Sequence, residues 1–277
     1  MKRFLVIGNP VQQSLSPKLH NELYRQLEID AEYDKLEIKE RKLRSLIKQL
    51  RAGEIHGINV TIPFKEKIIP LLDEITPRAK NIGAVNCISL ENGKVVGYNS
   101  DSVGFLNVLD HREVPIAGQS FVVLGAGGAA RSIVYVLLKS MADQVIIINR
   151  NEKRAQELIE EMTPFSVATN LSVGNFEEVN IELPITWINC TSIGMDDLEE
   201  QSPVPIDYLK NNHCVMDLVY HPLRTKFIRE ADQVNAKIIT GLDLLIEQGL
   251  ESFKIWFRRD VSTEIQRSDL ISALLLG

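Results

Sequence analysis

The stretch that decides the fold is SFVVLGAGGAA, residues 120–130. A short apolar strand (120–124) leads into a glycine-rich turn (125–130), and a helical pattern follows as far as about Met141. In this context the glycines let the backbone approach a pyrophosphate, and the N-terminus of the helix faces the negative charge. Ala130 stands where a third glycine is usual. The sequence therefore predicts a Rossmann-type dinucleotide-binding domain; a tight turn without a ligand is the alternative.

The end of the next predicted strand, 144–150, indicates which dinucleotide binds. An NAD site usually places Asp or Glu there, whereas this strand ends in Asn149 and Arg150, and Lys153 and Arg154 follow. A carboxylate would repel the additional phosphate of NADP, but a guanidinium can pair with it. We therefore predict NADP rather than NAD. The alternative is a solvated cationic turn at the start of a helix.

Strands and helices alternate on both sides of the glycine-rich turn. The alternation predicts an α/β protein with a mostly parallel sheet, and the length of 277 residues favours two domains. Asn92-Gly93 is typical of a type I′ hairpin turn, and the polar stretch 110–119 has the composition of a linker. Further extended patterns occupy 4–7, 57–62, 84–99, 186–190, 213–220 and 236–240, and helical patterns occupy 17–29 and the region after Gly241.

Composition narrows the class of protein. A formal net charge of −6 argues against nucleic acid as a partner, because nucleic-acid binding usually requires a basic surface. The three cysteines, Cys87, Cys190 and Cys214, have no metal-ligand spacing, so we expect reduced thiols and no metal site. The first apolar run, 4–7, is too short for a signal peptide, and no run of 18 apolar residues occurs. We expect a cytoplasmic protein without a membrane partner.

NVTIPFK, residues 59–65, combines a strand pattern with polar side chains. Side chains alternate in a strand, so Asn59 and Thr61 should share one face while Val60 and Ile62 enter the core. The proline cannot donate to a strand ladder and should end the strand. The lysine that follows then lies at the C-terminal edge, where α/β proteins bind ligands. An exposed lysine at the start of a short helix is the alternative.

Other polar residues fall at predicted strand ends of the same half. Ser16 before Pro17 is typical of a helix N-cap, which leaves Ser14 unexplained. Asn86 lies among apolar residues and needs hydrogen-bond partners there. Asp101 begins a helix and could be only its cap. Together these side chains predict a polar site at one edge of the first domain.

The chain carries, in this order, the motifs SLSP, NVTIPFK, GAVN, NSDSVGF, GAGGAA, the Asn149-Arg150 strand end, NCTSIGM and Gly241 with Gln248. Together these motifs resemble the shikimate dehydrogenase family over nearly the whole chain. The resemblance implies a site in the cleft between two domains and reversible NADP-linked reduction of 3-dehydroshikimate to shikimate, in chorismate and aromatic amino acid biosynthesis. Residues 1–108 with 243–277 would form the substrate-binding catalytic domain, and 109–242 the NADP-binding domain.

The resemblance also implies a role for each motif residue. Lys65 and Asp101 would form the catalytic pair. Ser14 and Ser16 would bind the substrate carboxylate; Asn59, Thr61, Asn86, Asp101 and Gln248 would hold ring hydroxyls, and Tyr220 would lie beside the substrate. Cofactor binding would fall to Gly125, Ala126, Gly127, Gly128, Ala129, Asn149, Arg150, Arg154, Thr191, Ser192, Leu218 and Gly241. Small molecules would be the partners, and the chain would be a monomer or homodimer.

The predicted chemistry needs an acid–base group. Hydride delivery to a ketone leaves negative charge on the carbonyl oxygen, so a proton donor must lie within hydrogen-bond reach. Lys65 meets that need. A neighbouring Asp101 would favour the ammonium form, whereas burial would disfavour it, and the sequence leaves open which effect on the lysine pKa prevails.

The chain departs from the family pattern at a few positions. Gln13 replaces a frequent histidine, Cys87 and Ser100 replace usual threonines, and Asp243 and Leu244 stand where a glycine and a methionine are typical. The last two changes affect packing beside the nicotinamide and not the reaction class. The alternatives are an NAD-using quinate/shikimate dehydrogenase and a non-catalytic dinucleotide sensor, although a sensor would have no use for a lysine–aspartate pair.

Overall fold

The structure is a computed structural model, and it describes residues 1–275. The chain divides into two compact units. The first comprises Met1–Gly104 with the segment from Leu245 onward, and the second comprises Phe105–Leu244. Both boundaries fall inside helices, within Ser100–His111 and within Gly241–Phe257. The final two residues of the expected segment 243–277 lie outside the described residues.

The described residues form twelve strands and nine α-helices. The strands are β1 Lys2–Gly8, β2 Ala31–Glu37, β3 Gly57–Val60, β4 Glu74–Ile75, β5 Cys87–Glu91, β6 Lys94–Tyr98, β7 Ser120–Leu124, β8 Gln144–Ile148, β9 Asn170–Val173, β10 Ile185–Asn189, β11 Cys214–Asp217 and β12 Lys237–Ile239. The helices are α1 Ser16–Gln26, α2 Leu43–Arg51, α3 Pro77–Ile82, α4 Ser100–His111, α5 Gly128–Lys139, α6 Glu152–Met162, α7 Lys226–Gln233, α8 Gly241–Phe257 and α9 Arg267–Leu275.

The first unit is built on a six-stranded sheet in the order β2-β1-β3-β5-β6-β4. Only β5 runs against its neighbours; every other adjacent pair is parallel. Between β5 and β6, Asn92 and Gly93 have φ values of 49° and 80°. Positive φ at both central residues is the signature of a type I′ turn, so that prediction is confirmed.

The C-terminal part of the chain packs onto this first sheet. The indole Nε1 of Trp256, in α8, donates to the Ile88 carbonyl at 3.0 Å. Gly57 in β3 makes room for the ring, because a Cβ there would lie 2.4 Å from the same nitrogen. Phe4 in β1 also contacts the indole, with ring centroids 4.8 Å apart. These contacts attach the last helices to the strands that carry the polar motifs.

The second unit contains a six-stranded sheet in the order β12-β11-β10-β7-β8-β9. All its pairs are parallel. If β7 is taken as the first strand, the order is that of the doubly wound dinucleotide-binding fold, and the reversal lies between β7 and β10. Side chains of β7 alternate between two buried layers, Phe121 and Val123 in one and Val122 and Leu124 in the other. The predicted α/β fold class with a Rossmann-type domain is confirmed.

The expectation of a linker at 110–119 is wrong. Helix α4 continues to His111, and the residues after it belong to the second unit. Val114 and Ile116 are buried in the core of that unit. The linker prediction rested on the mostly polar composition of the stretch and overlooked these two apolar residues, which anchor it in the core. Within residues 1–275, no helix has the length and apolarity needed to cross a membrane.

Candidate active site

Lys65 and Asp101 form an ion pair in the first unit. The lysine Nζ lies 2.5 Å from Oδ2 of the aspartate, and the two side chains are only 15% and 12% exposed. Lys65 follows β3, and its carbonyl accepts a hydrogen bond from the amide of Val85 at 2.8 Å. That bond joins the NVTIPFK segment to the GAVN segment. The structure therefore brings together the two residues expected to form the catalytic pair.

Asp101 is not the cap of helix α4. Asn99 performs that function, because its Oδ1 accepts from the amide of Ser102 at 2.9 Å. The second carboxylate oxygen of Asp101 instead accepts from Nδ2 of Asn86 at 2.7 Å. One oxygen thus faces an ammonium and the other an amide, and the capping alternative is excluded.

A chain of buried hydrogen bonds continues from this pair. The Asn86 amide also donates to Ser100 Oγ at 3.0 Å, and Ser100 Oγ lies 3.0 Å from Ser252 Oγ. Asn59 donates to Ser252 Oγ at 2.9 Å and accepts from the hydroxyl of Tyr33 at 2.7 Å. Ser100, Ser252, Asn59, Asn86 and Tyr33 are each at most 5% exposed. The polar edge is therefore a connected network within one unit.

Sequence reasoning missed two members of this network, Tyr33 and Ser252. Tyr33 belongs to β2, an edge strand that the sequence pattern did not reveal. Ser252 lies one helical turn after Gln248 and donates to its carbonyl at 2.9 Å. The spacing of four residues was a usable signal, because positions i and i+4 share a helix face.

The core assignment of Ile62 is wrong. Its side chain is 60% exposed, whereas Val60 and Phe64 are each 2% exposed. Strand β3 ends at Val60, so the alternation of faces does not continue to Ile62. Phe64 supplies the apolar anchor after the turn. Thr61 is partly buried, and its amide donates to the Ile7 carbonyl at 2.9 Å.

The expected N-cap role of Ser16 is also wrong. Helix α1 begins at Ser16, its N-cap position is Leu15, and no side chain caps it. Ser14 Oγ accepts from the amide of Ser16 at 3.3 Å. Among the described residues, the Ser16 hydroxyl has no hydrogen-bond partner, although the residue is only 7% exposed. The two serines lie together, and the Ser16 hydroxyl is not used for capping.

Gln248 and Tyr220 occupy different units. Gln248 is in the first, and its Nε2 donates to the Leu245 carbonyl at 2.7 Å. Gly104 allows α4 to approach there, since a Cβ on it would lie 2.7 Å from the Gln248 nitrogen. Tyr220 is in the second unit, three residues after the end of β11 at Asp217, and is partly exposed.

A buried aromatic cluster packs against the hydrogen-bond network at Tyr33. His20 is fully buried and stacks on Tyr33, with ring centroids 4.3 Å apart and an interplanar angle of 9°. Neither ring nitrogen of His20 has a hydrogen-bond partner in the described residues. Burial lowers the pKa of His20 to about 3, so the ring is neutral at physiological pH.

The glycine-rich turn of the second unit leaves an open cradle. Gly125 has φ of 106°, a conformation that favours glycine. A Cβ on Gly127 would meet no atom within 4 Å. Helix α5 begins at Gly128 with no side-chain cap and no acidic residue in its first turn. Unfilled space beside free helix N–H groups fits a pyrophosphate.

The strand end after β8 places cations at the surface. Arg150 is exposed, and in the described part of the chain it forms no ion pair. Asn149 Nδ2 donates to the Asn151 carbonyl at 2.7 Å, and Asn151 caps α6 through the amide of Arg154 at 3.2 Å. A cation at a helix N-terminus is slightly unfavourable without an anion, so this placement fits a bound phosphate.

The loop after β10 carries Thr191 and Ser192 and is shaped by Asn189, which is fully buried. The Asn189 Oδ1 accepts from Thr191 Oγ1 at 2.7 Å and from its amide at 3.0 Å. Its Nδ2 donates to the Ile193 carbonyl at 3.0 Å. Thr191 is partly buried, and Ser192 is exposed.

Gly241 and Leu218 lie in contact. A Cβ on Gly241 would lie 2.6 Å from the Leu218 carbonyl oxygen, so only glycine allows α8 to begin there. The aspartate at position 243, which departs from the family pattern, has a local structural role. Its Oδ2 accepts from the amide and hydroxyl of Thr240 at 2.9 Å each, and its Oδ1 accepts from Arg112 at 2.7 Å. Asp243 therefore stabilises the first turn of α8.

These features define a two-domain α/β protein, with a Rossmann-type unit and a second unit that carries a buried polar network. The chain belongs to the shikimate dehydrogenase family. The family described as "Shikimate dehydrogenase substrate binding domain" matches residues 6–88, and "Shikimate / quinate 5-dehydrogenase" matches residues 109–183. The predicted family resemblance is thereby confirmed.

Individual relatives match along nearly their whole length. The chain is 40% identical to the NADP(+) shikimate dehydrogenase of Aquifex aeolicus over 251 residues, which are 91% of this chain and 89% of that protein. It is 38% identical to the Bacillus cereus (strain AH187) enzyme over 272 residues, 97% of each chain. The structure of the Thermus thermophilus shikimate 5-dehydrogenase with NADP(H) and shikimate superimposes with a TM-score of 0.86 at 33% identity, covering 99% of both chains.

Proposed function

We propose that this protein is an NADP-dependent shikimate dehydrogenase, which reversibly reduces 3-dehydroshikimate to shikimate in aromatic amino acid biosynthesis. The observation that carries the proposal is the Lys65–Asp101 pair, whose 2.5 Å contact is held by Asn86 in the first unit. The relatives, at up to 40% identity, are NADP(+) shikimate dehydrogenases, which supports the same reaction.

Lys65 is the acid–base residue in this proposal. Bound NADPH would supply the hydride that reduces the ketone carbon. The Lys65 ammonium donates a proton to the carbonyl oxygen as negative charge develops there. In the oxidation direction, the neutral amine accepts the proton of the substrate hydroxyl. Each direction leaves the lysine in the protonation state that the reverse reaction requires.

Asp101 keeps the lysine in position. Its Oδ2 contacts the ammonium, and the amide of Asn86 holds its other oxygen. Both residues are mostly buried, so the interaction is less screened by solvent than a surface ion pair. Asp101 thus holds the Nζ atom in position.

Hydrogen bonds already made within the network limit how the two asparagines can bind substrate. Both amide hydrogens of Asn59 are used, by Ser252 Oγ and by the Asn86 carbonyl. Both amide hydrogens of Asn86 are used by Ser100 and Asp101. Each side-chain oxygen keeps one lone pair. Asn59 and Asn86 therefore accept hydrogen bonds from ring hydroxyls, which suits a polyhydroxylated substrate.

The substrate carboxylate would be bound by Ser14 and Ser16. The Ser16 hydroxyl is available because it caps no helix, and the contact between the Ser16 amide and Ser14 Oγ places both residues at one point. Hydroxyl donors hold a carboxylate without neutralising it. Thr61, Gln248 and Tyr220 would complete substrate recognition, as the family resemblance implies.

The second unit would hold NADP. Gly125, Ala126, Gly127, Gly128 and Ala129 would bind the pyrophosphate, and the open space at Gly127 beside the uncapped start of α5 supports this assignment. Arg150, with Asn149 and Arg154 beside it, would bind the 2′-phosphate of the adenosine ribose. Thr191, Ser192, Leu218 and Gly241 would line the remainder of the site.

We further propose a cytoplasmic protein, acting as a monomer or homodimer, with small molecules as its partners. All three cysteines are free thiols, which fits a reducing compartment.

The test is a spectrophotometric assay that follows the absorbance of the reduced nicotinamide, with each combination of NADP⁺ or NAD⁺ and shikimate or quinate. We expect the highest kcat/KM with NADP⁺ and shikimate. A preference for NAD⁺ with quinate would favour the related quinate enzyme instead. No turnover with any combination, alongside measurable NADPH binding, would favour a dinucleotide sensor.

A further inference from the structure

A buried cluster in the second unit connects the two loops that follow β10 and β11. We propose that Asp217 and Thr225 are positioning residues for the cofactor, because together with Asn189 they fix the loop that carries Thr191 and the loop that carries Leu218. The inference rests on the proposed function, in which those loops bind NADP.

Asp217 is the centre of the cluster. It is fully buried at the end of β11, and its Oδ1 accepts from Asn189 Nδ2 at 2.8 Å and from the amide of Val219 at 3.0 Å. Its Oδ2 accepts from Thr225 Oγ1 at 2.6 Å. Burial raises the pKa of Asp217 to about 6, and these three hydrogen bonds oppose the rise. The carboxylate therefore depends on its donors to stay ionised.

Thr225 is positioned to be one of those donors. Its Oγ1 accepts from the amide of Ile228 at 3.2 Å, as the N-cap of α7. The Thr225 hydroxyl donates its single hydrogen to Oδ2 of Asp217, which would otherwise have no donor. Helix α7 thus supports the carboxylate through a single side chain, although it contributes no residue to the proposed site.

The two loops have little freedom to rearrange around the cluster. Gly194, in the loop after β10, has φ of 101°, and a Cβ on it would lie 3.3 Å from Cγ2 of Thr225. On the other side, Gly241 packs against the Leu218 carbonyl. Asn189 uses both amide hydrogens, one for Ile193 in its own loop and one for Asp217. A displaced Asp217 would therefore move both loops.

Removing the Thr225 hydroxyl should have a specific effect. The buried Oδ2 of Asp217 loses its donor, and an unpaired buried polar atom costs more than the hydrogen bond itself was worth. The carboxylate can recover a partner only by turning away from the amide of Val219 or from Asn189. Cofactor binding should then weaken even though Thr225 does not touch the cofactor.

The experiment measures the Kd of NADPH by fluorescence titration, together with kcat, KM and Tm, for three variants. Thr225→Val removes the hydroxyl at nearly constant volume, and Thr225→Ser restores it. Thr186→Val is the matched control, because Thr186 is a buried threonine near the opposite end of β10 from Asn189. We expect Thr225→Val to raise the NADPH Kd about tenfold, and the serine and control variants to stay within about twofold of wild type.

Equal NADPH affinity in Thr225→Val and wild type would overturn the inference, as would an equal loss in the Thr186→Val control. If Thr225→Val does not fold, Asp217→Asn replaces it. Its amide keeps an oxygen for Asn189 and Val219 but removes the acceptor facing Thr225, and we expect a rise in Kd of about threefold. An unchanged Kd would contradict the inference. Wild-type protein that binds no NADPH would refute the proposed function instead.

Discussion

Asn86 holds Asp101 through a hydrogen bond of 2.7 Å from Nδ2 to Oδ1, on the side of the carboxylate away from the lysine. The bond joins two motifs that lie 15 residues apart in sequence. It also makes the orientation of the carboxylate depend on an amide whose own position is fixed by Ser100. An effect of Asn86 on turnover follows from this geometry.

Asn86→Ala should lower kcat about 10- to 100-fold, because hydrogen bonds to charged groups contribute about 1.5–3 kcal/mol. The KM for shikimate should also rise, since a ring hydroxyl loses an acceptor. Steady-state kinetics with thermal unfolding check both. Asn180→Ala, at an exposed turn of the second unit, is the control. If kcat stayed normal and only KM changed, Asn86 would act on the substrate alone.

Gly127→Ala separates cofactor binding from stability. Nothing lies within 4 Å of the position of the new Cβ, and the backbone, at φ −96° and ψ −173°, accepts alanine. We therefore expect Tm to change little, because alanine is a poorer N-cap than glycine by roughly 0.5–1 kcal/mol, and the lower entropy of the unfolded alanine chain offsets about 0.4–1 kcal/mol of that loss. The NADPH Kd should rise more than about tenfold, because the methyl group would displace the pyrophosphate. An unchanged Kd would place the pyrophosphate elsewhere.

Arg150→Ala should raise the KM for NADPH by about 10- to 100-fold and leave the KM for NADH nearly constant, because only NADPH carries the 2′-phosphate. Lys153→Ala is the matched control, since this neighbouring exposed cation already lies 3.9 Å from Glu157. Equal effects of Arg150→Ala on both cofactors would show that the phosphate is bound by other residues.

His20 should make stability depend on pH. Its pKa of about 3 in the folded state lies below the ordinary value of 6.5, so the unfolded chain binds the proton more readily. The stability that the neutral ring confers is complete above pH 6.5 and declines as pH falls toward 3. Between pH 7.5 and pH 5 the loss should be about 2 kcal/mol.

Urea unfolding at these two pH values, compared between wild type and His20→Phe, isolates that contribution. Other groups titrate in both proteins, including Asp217, whose raised pKa changes stability in the opposite direction over the same range. The variant should lose less free energy of unfolding on acidification than wild type. Identical losses would mean that His20 becomes protonated without cost in the folded state.

Much of the fold could be predicted from the sequence because its buried strands are continuous apolar runs. The sequence did not predict three of the four edge strands, β2, β4 and β9, whereas the edge strand β12 matches the extended pattern at 236–240. In β2 only Tyr33 is buried, and in β9 no residue is, so neither has the alternation that identifies a strand. The prediction that Ile62 enters the core was wrong because the alternating pattern of residue types continues in the sequence beyond Val60, where the strand ends.

The sequence predicted those residues of the candidate site that belong to motifs. It did not predict the residues whose role depends on packing. Lys65 and Asp101 lie in recognisable motifs, but their contact depends on Asn86 and on the capping of α4 by Asn99. Ser252 is a small residue on a helix, and only the network around it shows its importance. Such positions depend on the partners that folding brings to them.

The kcat of Lys65→Ala for shikimate oxidation tests the proposed chemistry most directly. We expect a decrease of about 10²- to 10⁴-fold, as is usual for loss of a general acid–base residue, with little change in the KM for shikimate. NADPH binding should remain near wild type, and Tm should fall, because the buried Asp101 carboxylate loses its ammonium partner. A near-normal kcat in this variant would contradict the assignment of Lys65 as the residue that moves the proton.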